Sequence, residues 1–170
     1  NDQFGLMLKE TLEGLGIGTE NLMLDDEVRT TLAFVHTFED GDRDFSFYRN
    51  PGADMMLRAD EVQEELIQSV KIFHFGTLSM THEGVREATK KALDVAKASG
   101  AMISFDPNLR EPLWKSLDEA KEQVLYGLQY ADILKISDNE IQWLTGEEDY
   151  TEGVKKIRED GDKHHALDAT

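Results

Sequence analysis

Asp106-Pro-Asn-Leu-Arg110 sets an acid, an amide and a guanidinium directly behind the apolar run Ala101-Met-Ile-Ser-Phe105. Pro107 forces the chain out of any extended segment before it. Pro112 breaks it again, so two of the chain's three prolines fall in this one stretch. Arg110 offers a planar fork of donors that suits an anionic or polyhydroxyl group. The plainer reading has Asp106 and Asn108 capping a turn while Arg110 pairs with a surface acid. A second group, Lys135-Ile-Ser-Asp-Asn-Glu140, follows Ala131-Asp-Ile-Leu134 in the same way. Here Ser137 or Asp138 as helix cap, with Glu140 in the first turn, needs no ligand at all. The third group is Arg49 with Asn50, at the end of Asp44-Phe-Ser-Phe-Tyr-Arg49. Alternation along a strand puts Phe45, Phe47 and Arg49 on one face and Ser46 and Tyr48 on the other.

The elements that must carry these residues follow from hydrophobic period. Phe4, Leu8, Leu12 and Leu15 recur at helical spacing and run into Gly14 and Gly16, which predicts a short amphipathic helix. Thr30–Phe38 and Asp44–Arg49 are β-branched or aromatic runs around a glycine-containing loop, the pattern of a hairpin. An isolated hairpin is marginal in water, so this one needs a surface to cover, as a lid or at a subunit interface. From Ala59 the chain alternates: helix over Asp60–Ser69, strand over Lys71–Phe75, helix over His82–Ala98, strand over Met102–Phe105. A helix over Ser116–Leu128, a strand over Ile133–Ile136 and a helix from about Asp138 continue the rhythm. That is a parallel sheet with crossover helices. Open sheets of this kind bind ligands at the carboxyl ends of their strands. All three groups would then lie along that edge or above it.

Composition removes several classes. With 18 basic against 35 acidic residues and a formal net charge of −17, neither a nucleic-acid backbone nor an anionic membrane surface is the main partner. The absence of cysteine excludes disulfides, thiolate metal sites and a cysteine nucleophile, and suits a reducing cytoplasm. No run approaches the ~18 apolar residues of a membrane helix, and Asn-Asp-Gln-Phe-Gly5 is no signal peptide. His74, His82, His164 and His165 show no metal-ligand spacing. Neither a G-x-G-x-x-G nor a Walker loop is present.

Taken in order, the segments resemble the ribokinase-like (PfkB) family of carbohydrate kinases, most closely its fructokinases. Asn1-Asp-Gln-Phe-Gly5 is similar to the end of the family's G-x-D-x-x-G stretch. Arg29–Phe34 with Phe47–Asp54 resembles the lid hairpin and its exit. Phe73-His-Phe-Gly76, Asp106–Arg110, Ala131–Lys135 and Leu144-Thr-Gly146 follow in family order. The resemblance covers about residues 1–150. It implies a mostly parallel sheet flanked by helices, a small β-hairpin lid over about 28–54, ATP as donor, Mg2+, and γ-phosphoryl transfer to a sugar hydroxyl in the cytoplasm. Such chemistry rests on positioning and charge neutralisation.

Carried over, the resemblance has Arg49, Asn108 and Arg110 binding the sugar and the transferred phosphate. It puts Lys135 and Ser137 at the nucleotide phosphates and Glu140 on the metal through water, with Ser137 where the family has asparagine. A homodimer through the lid hairpin is a further implication. The family's G-A-G-D aspartate and first-strand aspartate and glycine are absent from residues 1–170, so no catalytic residue is assigned. Leu167-Asp-Ala-Thr170 is similar to what precedes G-A-G-D, yet follows Leu144-Thr-Gly146 too closely. The expectation is a single, incomplete kinase domain, with Lys155–Asp160 helical and Gly161–Thr170 a polar tail. Two rivals stand beside the fructokinase reading. One is 2-keto-3-deoxygluconate kinase, where a lid arginine meets a carboxylate; the other is a non-catalytic member that binds sugar or protein.

Overall fold

The structure, a computed structural model, describes the backbone of residues 1–167 and the side chains of residues 1–160. Helix α1 (Gln3–Gly14) starts at Asp2, whose Oδ1 accepts the N–H groups of Phe4 and Gly5 at 3.0 and 2.9 Å. Those are two of the donors a helix start leaves unpaired. The same carboxylate also accepts Thr30 N–H at 2.8 Å and the Thr30 hydroxyl at 2.9 Å. One side chain thus ties the first helix to the segment that enters the hairpin.

Strands β1 (Leu32–Thr37) and β2 (Arg43–Tyr48) pair antiparallel, from Leu32 opposite Tyr48 to Thr37 opposite Arg43. They form a two-stranded sheet of their own, outside the main one, as a lid requires. Between hairpin and main sheet, the helix expected over Asp60–Ser69 is broken. A 3-10 turn at Ala59–Glu61 is closed by the Glu61 carboxylate accepting Arg58 N–H at 2.9 Å. Val62 is then extended, with φ −67° and ψ 120°, and α2 covers only Glu64–Ser69.

The main sheet holds β3 (Ile72–Gly76), β4 (Met102–Asp106) and β5 (Ile133–Leu134) in that order, all parallel. Helices α3 (Glu83–Ser99) and α4 (Leu117–Leu128) make the crossovers. One sheet face carries Phe73, Phe75, Ile103, Phe105 and Leu134, and Phe75 stacks on Phe105 with ring centroids 4.4 Å apart. Phe105 is fully buried and Phe75 nearly so, a contribution of about 1.5–3 kcal/mol each. Leu93, Ala96, Ala120 and Val124 close over them from the helices. The other face presents Ile72, Met102 and Ile133, all exposed in this chain.

Strand β5 is shorter than the expected Ile133–Ile136. Lys135 N–H still reaches Phe105 O at 2.9 Å, but β4 ends there because Pro107 turns away, leaving later residues no strand to pair with. Helix α5 (Asp138–Thr145) follows, and α6 (Tyr150–Leu167) packs Ile157 into the core beside Ile141 and Leu144. The last helix starts earlier than Lys155 because Asp149 accepts the N–H groups of Thr151 and Glu152 at 2.8 and 3.0 Å. Its backbone also runs through Gly161 to Leu167, where a polar tail was expected. The likeness of Leu167-Asp-Ala-Thr170 to the family's catalytic approach falls mainly on 168–170, outside the described residues. Among the described residues no helix is long and apolar enough to cross a membrane.

Two outcomes follow from this packing. A Cβ on Gly127 would lie 2.7 Å from Phe105 Cζ and 2.9 Å from Cε1, against a ring that has no room to move. Overpacking of this kind costs about 1–3 kcal/mol, against about 1 kcal/mol gained from helix propensity. Gly127→Ala is therefore expected to lower the thermal midpoint, and an unchanged or higher midpoint would contradict the α4–Phe105 contact.

The Asp2 carboxyl is held well below the usual carboxylate range, first by the N–H of Gly5 and then by that of Thr30. A depressed folded-state value means stability present above the unfolded value of about 3.9 and lost as pH falls below it. Wild type should exceed Asp2→Asn in denaturant midpoint at pH 7, with the gap narrowing below about pH 4; a gap constant with pH would refute the ionised clasp.

Candidate active site

At the carboxyl end of β4 the chain turns through Asn108, the only non-glycine residue with positive φ (+46°) among the described residues. Asparagine tolerates that region better than most side chains. The turn is held from both sides. Thr77, fully buried, donates its N–H and hydroxyl to Pro107 O at 3.3 and 2.6 Å. Across the turn, Leu109 N–H donates to Glu140 Oε1 at 2.7 Å. Glu140 Oε2 accepts Ser137 N–H at 2.9 Å and the Ser137 hydroxyl at 2.6 Å. Glu140 thus closes the capping box of α5 and also pins the turn after β4 to that helix.

The result is an open cleft of about 380 Å³ lined by Asn108, Arg110, Lys135, Ser137 and Glu140, with Asn139 and Trp143 beside them. Five of the six residues expected at the site therefore share one cleft. Register explains part of this. Ser104 pairs with Ile133 and Phe105 with Leu134, so the next step along the ladder sets Asp106 opposite Lys135. Lys135 Nζ bonds Asp106 Oδ2 at 2.9 Å while its side chain stays 71 % exposed. The hydrogen bond to Asp106, and then its charge, push the ammonium pKa upward. Asp106 Oδ1 is buried without a partner.

Arg110 pairs with no acid. Its guanidinium carbon lies 4.9 Å above the Phe45 ring, and Nη1 donates to Leu109 O at 3.0 Å. Phe45 in turn stacks on Phe47, with ring centroids 6.1 Å apart and planes 10° from parallel. The inner face of the hairpin therefore rests on the cleft's arginine, which is the surface the sequence demanded for it.

Arg49 is the exception. It does not line the cleft, and its side chain is only 5 % exposed. Nε and Nη2 both bond Asp54 Oδ2, at 2.8 and 2.6 Å. Nη1 donates to the Thr81 hydroxyl at 2.8 Å and Nη2 to Leu78 O at 3.0 Å. The arginine expected to reach from lid to sugar is here a clasp between the lid's base and the end of β3.

The sequence profile of "pfkB family carbohydrate kinase" matches residues 1–167. The chain belongs to the pfkB family. "Probable fructokinase-2" of Arabidopsis thaliana is 49% identical over 146 residues, 86% of this chain and 44% of the relative. The crystal structure of fructokinase with bound ATP from Xylella fastidiosa superposes with a TM-score of 0.82 at 32% identity, over 94% of this chain and 51% of that one. The fructokinase from Vibrio cholerae O395 in its fructose, ADP and calcium ion bound form gives a TM-score of 0.82 at 30% identity, with the same coverages. The chain spans less than half the length of the curated relatives it matches. Its fold, a parallel sheet with flanking helices and an antiparallel lid, is ribokinase-like.

Within this pfkB chain, two site features escaped the sequence reading. Asp106, taken at most as a turn cap, is the partner of Lys135; the strand register that joins them was not fixed by either motif alone. Trp143 stands three residues after Glu140 on α5, a helical spacing that could have flagged it. No group of three or more acids and histidines able to hold a metal occurs among the described residues. A magnesium ion at a phosphoryl-transfer site keeps waters and takes one or two carboxylates beside the phosphates. Glu140, together with the unpartnered Asp106 Oδ1, fits an ion delivered with the nucleotide better than a resident cage.

Glu140 carries the testable consequence of this geometry. Its replacement by alanine removes the acceptors of two backbone N–H groups in part-buried positions, a cost of about 1–2 kcal/mol. Hydrogen exchange at the Leu109 amide should quicken correspondingly in Glu140→Ala, and unchanged protection there would show that Glu140 does not hold the turn.

Proposed function

We propose that the protein is an ATP-dependent fructokinase, transferring the γ-phosphoryl group to a hydroxyl of fructose. One observation carries the reading: the uncommitted donors of Arg110, the exposed ammonium of Lys135 and the start of α5 at Ser137 converge on a single cleft at the carboxyl edge of the sheet. The fructokinases among its relatives, one with ATP bound and one with fructose and ADP, support the donor and acceptor.

In this reading Arg110 meets the negative charge on the phosphoryl group in flight, where fixed donors lower the barrier without reorganising. Asn108, held in the same rigid turn, faces the sugar. Lys135 leaves Asp106 for the nucleotide phosphates, and Ser137 with the first turn of α5 adds N–H donors there. Magnesium, when bound, offsets the phosphate charge, with Glu140 reaching it through water. Residues 1–170 contain no G-A-G-D motif, so the group that takes the hydroxyl proton is not assigned to this segment. The exposed Phe34 and Tyr48, whose rings meet edge to face at 5.5 Å on the hairpin's outer side, support pairing of two copies through their lids. A chain without cysteine suits the cytoplasm.

Initial rates with ATP and magnesium test the reading on the full-length protein. Fructose should be phosphorylated, and Arg110→Ala should lower kcat/KM by about 2–4 kcal/mol of transition-state stabilisation. A loss below about threefold with the fold intact would remove Arg110 from the chemistry. No phosphorylation of any sugar would favour the non-catalytic binding reading.

A further inference from the structure

The lid presents two arginines at the ends of one row. Phe45, Phe47 and Arg49 share a hairpin face by alternation, Arg110 stacks on Phe45, and Arg49 stands about 13 Å further along the strand. Their states differ. Arg110 spends one N–H on the protein, at Leu109 O, and pairs with no acid. Arg49 spends four of its five, and its charge is matched by Asp54 through two contacts to one oxygen. The other Asp54 oxygen accepts the Thr31 hydroxyl, which joins the start of β1 to the same carboxylate.

The local backbone is shaped around this pair. Gly52 lies between them in sequence, and a Cβ there would fall 1.8 Å from Thr31 Oγ1, 2.7 Å from Asp54 Oδ1 and 3.0 Å from Arg49 Cγ. No side chain fits between the carboxylate and the two residues it holds. The ion pair is therefore part of the hinge by which the lid joins the domain, and no uncompensated cation remains at that end of the row.

We propose that Asp54 is a specificity-determining residue: by holding the Arg49 charge inside the lid hinge, it leaves the lid end of the acceptor site selective for neutral polyols over acceptors that carry a carboxylate. An arginine without its acid would be a buried charge lacking a counter-ion, and a substrate carboxylate would supply one. With Asp54 in place that carboxylate finds no unpaired donor fork and meets the exposed carboxylate of Asp54 itself. Discrimination thus comes from the acid beside the arginine and not from the arginine.

This inference rests on the kinase reading above, and the experiment separates the two. Rates of ATP-dependent phosphorylation are measured on fructose and on 2-keto-3-deoxygluconate, at low and high salt, for the full-length wild type, Asp54→Asn, and Asp54→Asn combined with Arg49→Gln. Wild type should favour fructose at least tenfold, with a ratio that salt does not move. Asp54→Asn keeps the size and the Thr31 contact but frees the arginine's charge. It should raise the keto-acid to fructose ratio of kcat/KM about tenfold, the difference between a charge-assisted and a neutral hydrogen bond, and the gain should fall with salt. The double variant should return to within about threefold of wild type. A ratio unchanged in Asp54→Asn, with fructose activity retained, overturns the proposal and leaves the kinase reading intact. Should Asp54→Asn fail to fold, the wild type decides: keto-acid activity that equals fructose activity and declines with salt overturns it. Wild type inactive on both sugars overturns the kinase reading and this inference with it.

Discussion

Pro107 has no N–H to give to β5 and cannot hold β4 on course, so the parallel ladder stops at Asp106 and Lys135. Almost everything at the cleft depends on that stop. Ending there leaves two side chains of opposite charge face to face on the last rung, and the next residue, Asn108, takes the left-handed conformation that reverses the chain. The reversal aims Leu109 N–H at Glu140 and lifts Arg110 toward the lid. Had the strand run two residues further, Asn108 and Arg110 would alternate with the sheet faces and not share one rim.

The lid is bound to the domain at its two ends by different chemistry. Near Arg110 the contact is a guanidinium over an aromatic face, with no partner acid and open donors. At Arg49 it is a buried, many-bonded ion pair that also engages Thr31, Thr81 and Leu78. A cation over a ring is worth about 0.5–2 kcal/mol and is easily exchanged, whereas separating a buried pair leaves a charge without compensation. The hairpin is thus hinged at the Arg49 end, and its Arg110 end is the one able to lift.

Alternating helix and strand periods made the parallel sheet and its crossovers legible, because each strand's inward face is a short apolar run bounded by polar residues. The hairpin was legible for the same reason, from Thr30 to Arg49 with a glycine loop between. Boundaries were less so. The break after Glu61 arises from its carboxylate bonding Arg58 N–H, a local choice that hydrophobic period does not see. Motif order also brought Asn108, Arg110, Lys135, Ser137 and Glu140 to one edge, since each follows a strand end. What the sequence could not carry was partnership. Asp106 meets Lys135 across 29 positions through strand register, and Arg49 turns to Asp54 and Thr81 through the packing of the lid base. Spacing along the chain says where a side chain starts, and tertiary contacts decide where its charge is spent.

Those two ion pairs show how burial divides one chemistry into two uses. Lys135 is 71 % exposed, so its attraction to Asp106 is screened by water and salt and its side chain is free to change partners. Arg49 is 5 % exposed and bonded on four N–H groups, so its partner is fixed. In a chain of net charge −17 the long-range field repels an anionic nucleotide. Attraction must come from cations close to the cleft, and only those whose charge is released on approach can supply it. Lys135 and Arg110 meet that condition and Arg49 does not, which sets the anion-handling side of the site along the β4–β5 edge and leaves the lid hinge electrically closed.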